Sequence, residues 1–350
     1  MDADPASIWK CPECLGSLEP MGPVIGGNLR CSNCGQSYET VDDIPDLRFP
    51  RHRSGDRDSD FEEARQIAAG ADGKTMEQLV RSFFSVREGM EGWTRSDTDL
   101  RARQSIAAPD RLQREVAGWL QPVTQHGRFL DLGCGLGGLL LAASREGKEG
   151  IGIDNRMSVL VVAKRLIEME GHTATLACAS AERLPLSSEA VGGVVMYDVV
   201  EHVDHLEQAL AETSRVTKTS GVFACSTPNR FSLAPEPHVR VWGVGWLPRK
   251  YQRAYVKARS GMDYSGTRLL SPAELRRILA THTKFDITMR VPGIPPEEIE
   301  TSRGLRRLLA RTFNSLARIP AVIPLLLRVG PFFQVIGIKR RVANTVDPRT

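Results

Sequence analysis

Four cysteines near the N-terminus carry the sharpest chemical signal in the chain. Cys11-Pro-Glu-Cys14 and Cys31-Ser-Asn-Cys34 are two C-x2-C pairs with sixteen residues between them. Two such turns at that separation aim four thiolates at one point, the donor set of tetrahedral zinc with Zn–S near ~2.3 Å. Gly35 follows the second pair and can take the left-handed backbone that such turns use. Cys11, Cys14, Cys31 and Cys34 would saturate the ion and leave no position for water, so the expected zinc is structural. A thiol–disulfide role would need only one of the two pairs.

A second cluster of chemistry-bearing residues starts at Leu130-Asp-Leu-Gly-Cys-Gly-Leu-Gly-Gly138, where an apolar run gives way to a helical pattern. Glycines at that junction let the backbone approach a ligand, and the following helix N-terminus favours hydrogen-bond acceptors. Gly133, Gly135 and Gly138 also satisfy G-x-G-x-x-G, which alone is a weak dinucleotide signal. Asp131 argues against a pyrophosphate, because a carboxylate two residues before the first glycine suits a cation. S-adenosylmethionine offers an ammonium and a sulfonium there and no phosphate. Asp154 stands 21 residues after Gly133 at the end of the next apolar run, where an acid can accept both ribose hydroxyls of an adenosine. Ser180-Ala-Glu-Arg-Leu-Pro185 is placed to flank the adenine, and Tyr197-Asp-Val-Val-Glu-His-Val203 closes the following run at the same edge.

These residues need a frame that holds strand ends together. From Arg128 onward, short apolar runs alternate with amphipathic helices: FLDLG, GIGID, TATLACA, GGVVMYD and GVFACST. Such runs read as buried parallel strands of an α/β sheet. Asp204 to Lys218 is expected as a helix, Ser271-Pro-Ala-Glu274 as the capped start of another, and Phe285 to Val291 and Phe332 to Lys339 as late strands. Three helices are expected earlier, over 61–69, 76–86 and 109–120, after a polar linker, RHRSGDRDSD. The division is therefore a zinc ribbon over 1–50, a linker and helical connector over 51–108, and the α/β domain over 109–350. Two insertions, at about 228–270 and 295–330, interrupt that domain.

Of the 350 residues, 41% are hydrophobic and 25% charged, with a net charge of +4, which excludes disordered, collagen-like and membrane-spanning classes. That mean hides an acidic head, with eight acids and three bases in 1–50, and a basic tail, with ten bases and one acid in 301–350. Seven cysteines are too few and too uneven for a disulfide scaffold, and Met1 to Lys10 has no apolar run, so a reducing, cytoplasmic setting is expected.

DLGCGLGG, GIDNR, SAERLPL and YDVVEHV, in this order and spacing, resemble the motifs of class I S-adenosylmethionine-dependent methyltransferases. The resemblance spans roughly Pro109 to the C-terminus. It implies a Rossmann-like fold with a seven-stranded, mostly parallel sheet. It also implies cofactor contacts at Asp131, Gly133, Gly135 and Gly137, at Asp154, and at Ser180, Ala181 and Glu182, with Tyr197 at the same edge. Ser180 stands where the family commonly has an aspartate for the adenine amino group. CSNCGQSYETVDDIPDLR resembles small zinc-ribbon modules related to the activator subunit of tRNA and protein methyltransferases.

Methyl transfer mainly needs alignment of nucleophile, methyl and sulfonium, plus removal of a proton when the acceptor is a hydroxyl. His202 and His238 are the candidate bases, with Asp198 beside them; the competing reading has His202 capping or packing on the adjoining helix. The base-amine motif Asn-Pro-Pro-Tyr is absent, since the fourth run ends in YDVV. The acceptor is therefore expected to be a small molecule with a hydroxyl, a sugar or natural product. RNA base methylation is the alternative, given the basic tail, and a noncatalytic scaffold is a third reading. The first insertion carries Trp242, Trp246, Tyr251 and Tyr255 among seven bases and one acid over 230–259, and reads as an aromatic lid over the cofactor or a stacking surface. The second has Leu305, Leu308, Leu309 and Phe313 at helical spacing among arginines. A cap helix packed on the domain is the favoured reading there, with contact to an anionic membrane surface as the other.

Overall fold

A computed structural model describes residues 8–21, 27–49, 57–87, 94–295, 299–300 and 302–341. The apolar runs become a seven-stranded sheet. Its strands are β6 (Phe129–Leu132), β7 (Gly150–Asp154), β8 (Thr175–Cys178), β9 (Val191–Tyr197), β10 (Thr217–Pro228), β11 (Phe285–Arg290) and β12 (Phe332–Lys339). The spatial order is β11-β12-β10-β9-β6-β7-β8, parallel except for β12, which runs antiparallel to β10 and β11. From β6 the chain proceeds to β7 on one side, and from β9 to β10 on the other. Between β6 and β9 the connections therefore diverge and open a crevice at the strands' carboxyl ends.

Both faces of the sheet must be covered, and they are covered differently. One face carries α4 (Ala108–Ala117), α5 (Gln121–Thr124), α6 (Gly138–Arg145) and α7 (Met157–Met169), packed through Leu112, Leu139, Leu141, Leu160 and Val161. The other carries α8 (Leu206–Val216) and α10 (Pro272–His282), which α9 (Arg249–Ser260) precedes. Among the described residues no helix covers β8 on that second face, because the β8-to-β9 connection, residues 179–190, is without a helix. The cysteine module fills the gap. Its short strands β1 (Leu18–Pro20), β2 (Leu29–Cys31) and β3 (Ser37–Tyr38) form an antiparallel sheet, followed by the β4 (Thr40–Val41) and β5 (Ile44–Pro45) pair. Trp9, Leu18, Tyr38 and Leu47 share one buried cluster with Ile153, Ala177, Leu184 and Leu186. Backbone bonds close the seam, from Lys10 N–H to the Pro185 carbonyl at 2.8 Å and from Leu47 N–H to the Cys178 carbonyl at 2.7 Å.

Helices α1 (Arg57–Ala69), α2 (Met76–Ser85) and α3 (Arg95–Ile106) lie beyond α7, where Leu79, Val80 and Phe83 meet Val162 and Leu166. Thr75 with Gln78, and Thr94 with Asp97, are capping boxes that fix the starts of α2 and α3. α3 has no counterpart among the expected helices. Its apolar residues are few, and its boundary is set by the cap rather than by hydrophobic period.

The second insertion forms α11 (Gly304–Leu316) and α12 (Ile323–Val329). Here the favoured expectation of a packed cap helix does not hold: Ala310 is the buried residue of α11, while Leu305, Leu308 and Leu309 are 60–70% exposed. Among the described residues, no helix is long and apolar enough to cross a membrane.

Candidate functional site

The two cysteine turns are built alike. Leu15 N–H bonds to the Cys11 carbonyl and Gly35 N–H to the Cys31 carbonyl, and both Leu15 (φ 58°) and Gly35 (φ 72°) are left-handed. The sulfurs of Cys11 and Cys34 are 3.6 Å apart and those of Cys14 and Cys31 3.5 Å, with all four inside a 4.8 Å span. Zinc at ~2.3 Å from each of four tetrahedral sulfurs sets them about 3.8 Å apart, so the cluster fits the ion. Tyr38 Oη lies 3.0 Å from Cys11 Sγ, placed to donate to a thiolate. A Cβ on Gly16 would come within 2.9 Å of Cys31 Sγ, so the sulfurs close in only over a glycine.

At the crevice between β6 and β9 lies a cavity of about 550 Å³. Gly133, Asp154, Ser180, Ala181 and Glu182 line it, and so do Asp198 and His202. Gly133 has φ +79°, and a Cβ there would strike Val199 at 2.4 Å, so only glycine can pass under the β9 loop. Gly135 has φ +52° with open space where a Cβ would project, and its N–H donates to Asp154 Oδ2 at 3.0 Å. Asp154 Oδ1 accepts from Arg156 N–H at 3.1 Å, so one carboxylate ties the glycine loop to the start of α7. Gly137 caps α6 with φ 75°.

Asp131 is 2% exposed and is not among the residues that line the cavity, and its carboxyl has no hydrogen-bond or ion-pair partner among the described residues. Burial, and then the neighbouring Asp154, pushes it up to about 8. Burial also raises Asp154, against the opposing pull of the Gly135 and Arg156 N–H groups. An orphaned carboxyl beside a second acid fits a cationic ligand and disfavours a phosphate. Tyr197 ends β9 away from the cavity lining, its ring 6.3 Å from that of Trp119.

After β9, Asp198, Glu201 and His202 come together with His238. Asp198, at the end of β9 with φ 56°, is raised by desolvation and by Glu201. His202 and His238 approach with their Nε2 atoms 3.0 Å apart. His202 Nδ1 is 3.0 Å from the Gly266 carbonyl, and His238 Nδ1 2.5 Å from Glu236 Oε1. Desolvation by the side chains packed around its ring lowers His202 although its edge is exposed, and the Gly266 carbonyl offsets part of that. Burial would lower His238 too, but the bond to Glu236 and the charges of Glu236 and Glu201 outweigh it and raise its pKa.

His238 comes from the first insertion, so that segment does reach the site, but not through its aromatics. Trp242 and Trp246 are 61% and 49% exposed, their indole N–H groups bound to the Leu233 and Ser232 carbonyls. They form no lid over the cavity.

Arg48, Phe49 and Arg57 also line the cavity, and none of them is among the residues expected from the sequence to form the site. Arg48 bonds Asp46 twice, at 3.0 and 2.8 Å, reaches Asp60 at 2.9 Å, and donates to the Asn155 carbonyl at 3.1 Å, next to Asp154. Asp60 in turn accepts Met157 N–H at 2.8 Å and Ser158 N–H at 3.0 Å. Helix α7 thus has no cap of its own at Arg156 and borrows a carboxylate from α1. After β8, Arg183 bonds the Pro12 and Glu13 carbonyls.

The reversal of strand order, the glycine turn and the acid at the end of β7 define a Rossmann-like domain for a nucleoside with a cationic tail. Residues 130–225 match the family described as a methyltransferase domain. A "Ubiquinone biosynthesis O-methyltransferase" of Cereibacter sphaeroides is 36% identical over 124 residues, 35% of this chain and 50% of that protein. One of the same name from Maricaulis maris is 29% identical over 198 residues, 55% of this chain and 72% of that protein. The chain spans about half the length of the curated relatives it matches first. A solved structure, a SAM dependent methyltransferase from Archaeoglobus fulgidus, aligns at TM-score 0.41 and 19% identity over 66% of this chain and 94% of that one.

Proposed function

We propose that the protein transfers the methyl of S-adenosylmethionine to a hydroxyl oxygen of a small molecule. The observation that carries the reading is the shared cavity: Gly133, Asp154 and Glu182, of the expected cofactor set, line it together with Asp198 and His202. S-adenosylmethionine, when bound, supplies an electrophilic methyl on its sulfonium. The glycine loop would seat the amino-acid portion, with Asp131 balancing its ammonium. Asp154 would accept the ribose hydroxyls, and Ser180, Ala181 and Glu182 would flank the adenine. Asp198 would receive the proton of the acceptor hydroxyl, with His202 and His238 beside it to orient the acceptor.

The relatives' names speak for oxygen as the acceptor atom and give a sugar no particular support. The RNA reading loses the aromatic lid as a stacking platform at the cavity, and the scaffold reading leaves the orphaned Asp131 without a purpose. The test is to incubate the protein with methyl-labelled S-adenosylmethionine and separate pools of phenols, sugars and RNA. Label in an alkali-stable ether of a small molecule is the expected result. Label in RNA alone, or no measurable cofactor binding by calorimetry, would overturn the assignment.

A further inference from the structure

Two imidazoles meeting at 3.0 Å pose a problem of protons. The Gly266 carbonyl can only accept, so His202 Nδ1 carries a hydrogen; His238 Nδ1, on the Glu236 carboxylate, does the same. In the neutral rings both Nε2 atoms then present lone pairs, and these point at each other across 3.0 Å. Facing lone pairs repel unless something positive lies between them.

A third lone pair converges on the same spot. Glu201 is 1% exposed, and its Oε2 accepts from Thr227 Oγ1 at 2.9 Å, while its Oε1 is buried with no hydrogen-bond partner among the described residues. That oxygen lies 3.8 Å from His238 Nε2. Leaving a buried carboxylate oxygen unsatisfied is costly. At ~2.1 Å from one ion, two ligand atoms are about 3.0 Å apart at right angles and about 4.2 Å apart when opposed. The observed 3.0 and 3.8 Å fall within that range.

We propose that Glu201 Oε1, His202 Nε2 and His238 Nε2 form a second metal site, distinct from the cysteine cluster, for a divalent first-row transition ion. The carboxylate–imidazole pair Glu236–His238 and the Gly266–His202 bond are the outer contacts that fix the tautomers of ligating histidines. Two imidazoles and one carboxylate select ions such as Mn2+, Fe2+, Co2+ or Zn2+ over Mg2+ or Ca2+, and they leave positions open on the ion. His202 is exposed and lines the cavity, so an open position can face an acceptor. Arg101 and Arg111 are the nearby cations, against the three carboxylates of Asp198, Glu201 and Glu236.

The site deepens the proposed acceptor side and rests on that reading for its use. An acceptor hydroxyl on the ion would lose its proton to Asp198; its oxygen would then bond to the methyl as the S–CH3 bond breaks and its electron pair returns to sulfur. With both Nε2 atoms on the metal, neither histidine would be the base.

Ion binding can be read without cofactor or acceptor, so its failure is separable from failure of the methyl-transfer reading. The full chain, zinc-loaded at the cysteines, is titrated with Co2+ and followed by absorbance and metal analysis. The expected result is one equivalent bound with weak ligand-field bands, lost at least tenfold in affinity in Glu201→Gln and in His238→Ala while the thermal transition persists. Co2+ uptake only with intense thiolate charge-transfer bands, or uptake unchanged in both variants, would overturn the proposal. If neither variant folds, His202→Asn, at the exposed ligand, carries the same two outcomes.

Discussion

The two groups of residues proposed for the cofactor and for the acceptor are built on different plans. Every proposed cofactor contact lies within the run from β6 to the β8 loop, on consecutive strands, with backbone groups bearing much of the geometry. The acceptor group joins the end of β9 to residues more than thirty positions away, and its side chains, Glu201, His202, Glu236 and His238, orient one another. A site for a common ligand can be made by a recurrent loop. One for a particular acceptor is assembled from an insertion, which can change without disturbing the sheet.

The largest effect that separates the two groups should come from Asp154. Asp154→Ala removes a carboxylate placed for two ribose hydroxyls and also frees Gly135 N–H. With hydrogen bonds to a charged group worth about 1.5–3 kcal/mol each, S-adenosylmethionine affinity should fall at least ~100-fold in calorimetry. Asp198→Asn should leave that affinity within about threefold and lower turnover instead. Equal loss of cofactor binding in both variants would dissolve the distinction between the two groups.

The plan also explains what the sequence discloses. Asp131, the glycines and Asp154 are legible because each follows an apolar run at a fixed offset, and parallel strands bring such offsets to one edge. His202 and His238 are each visible as candidates, but their meeting is not, since it depends on the path of residues 230–270. Glu201 stands within the quoted YDVVEHV and Glu236 within Pro235-Glu-Pro-His238, yet burial alone distinguishes them from surface acids. Arg48 and Asp60 carry no spacing signal, because the Asn155 carbonyl that Arg48 reaches and the start of α7 that Asp60 caps lie about a hundred residues on. The same blindness affects α11, whose leucine period predicts a buried face that the fold leaves exposed.

Next in size is the contribution of the N-terminal module to the cofactor group. Asp60→Ala deletes both the borrowed cap of α7 and a buried partner of Arg48. Breaking a buried pair costs on the order of 3 kcal/mol, which should show as a lower midpoint in denaturant at unchanged slope. Cofactor affinity should fall as well, though less than in Asp154→Ala, because the Asp154 turn is loosened and not deleted. An unchanged affinity would mean that the ribbon and connector merely cover the sheet.

The smallest change, and the most specific, is one of pH. Asp131 is protonated below about 8 in the free protein, whereas an ammonium beside it favours the carboxylate. Cofactor binding should therefore release a proton, and affinity should weaken as pH falls below about 8, by at most tenfold per unit, and level off above it. Stability of the free protein should run the other way. The folded pKa is raised, so the unfolded chain loses its Asp131 proton first, near an ordinary carboxylate pKa of about 4, and stability declines as pH rises from there toward about 8. Asp131→Asn should remove that decline while abolishing the pH dependence of what binding survives. A wild-type affinity flat from pH 6 to 9 would place the cofactor's charge elsewhere and leave Asp131 as a buried acid of the β6 strand, with the cofactor group resting on Asp154 alone.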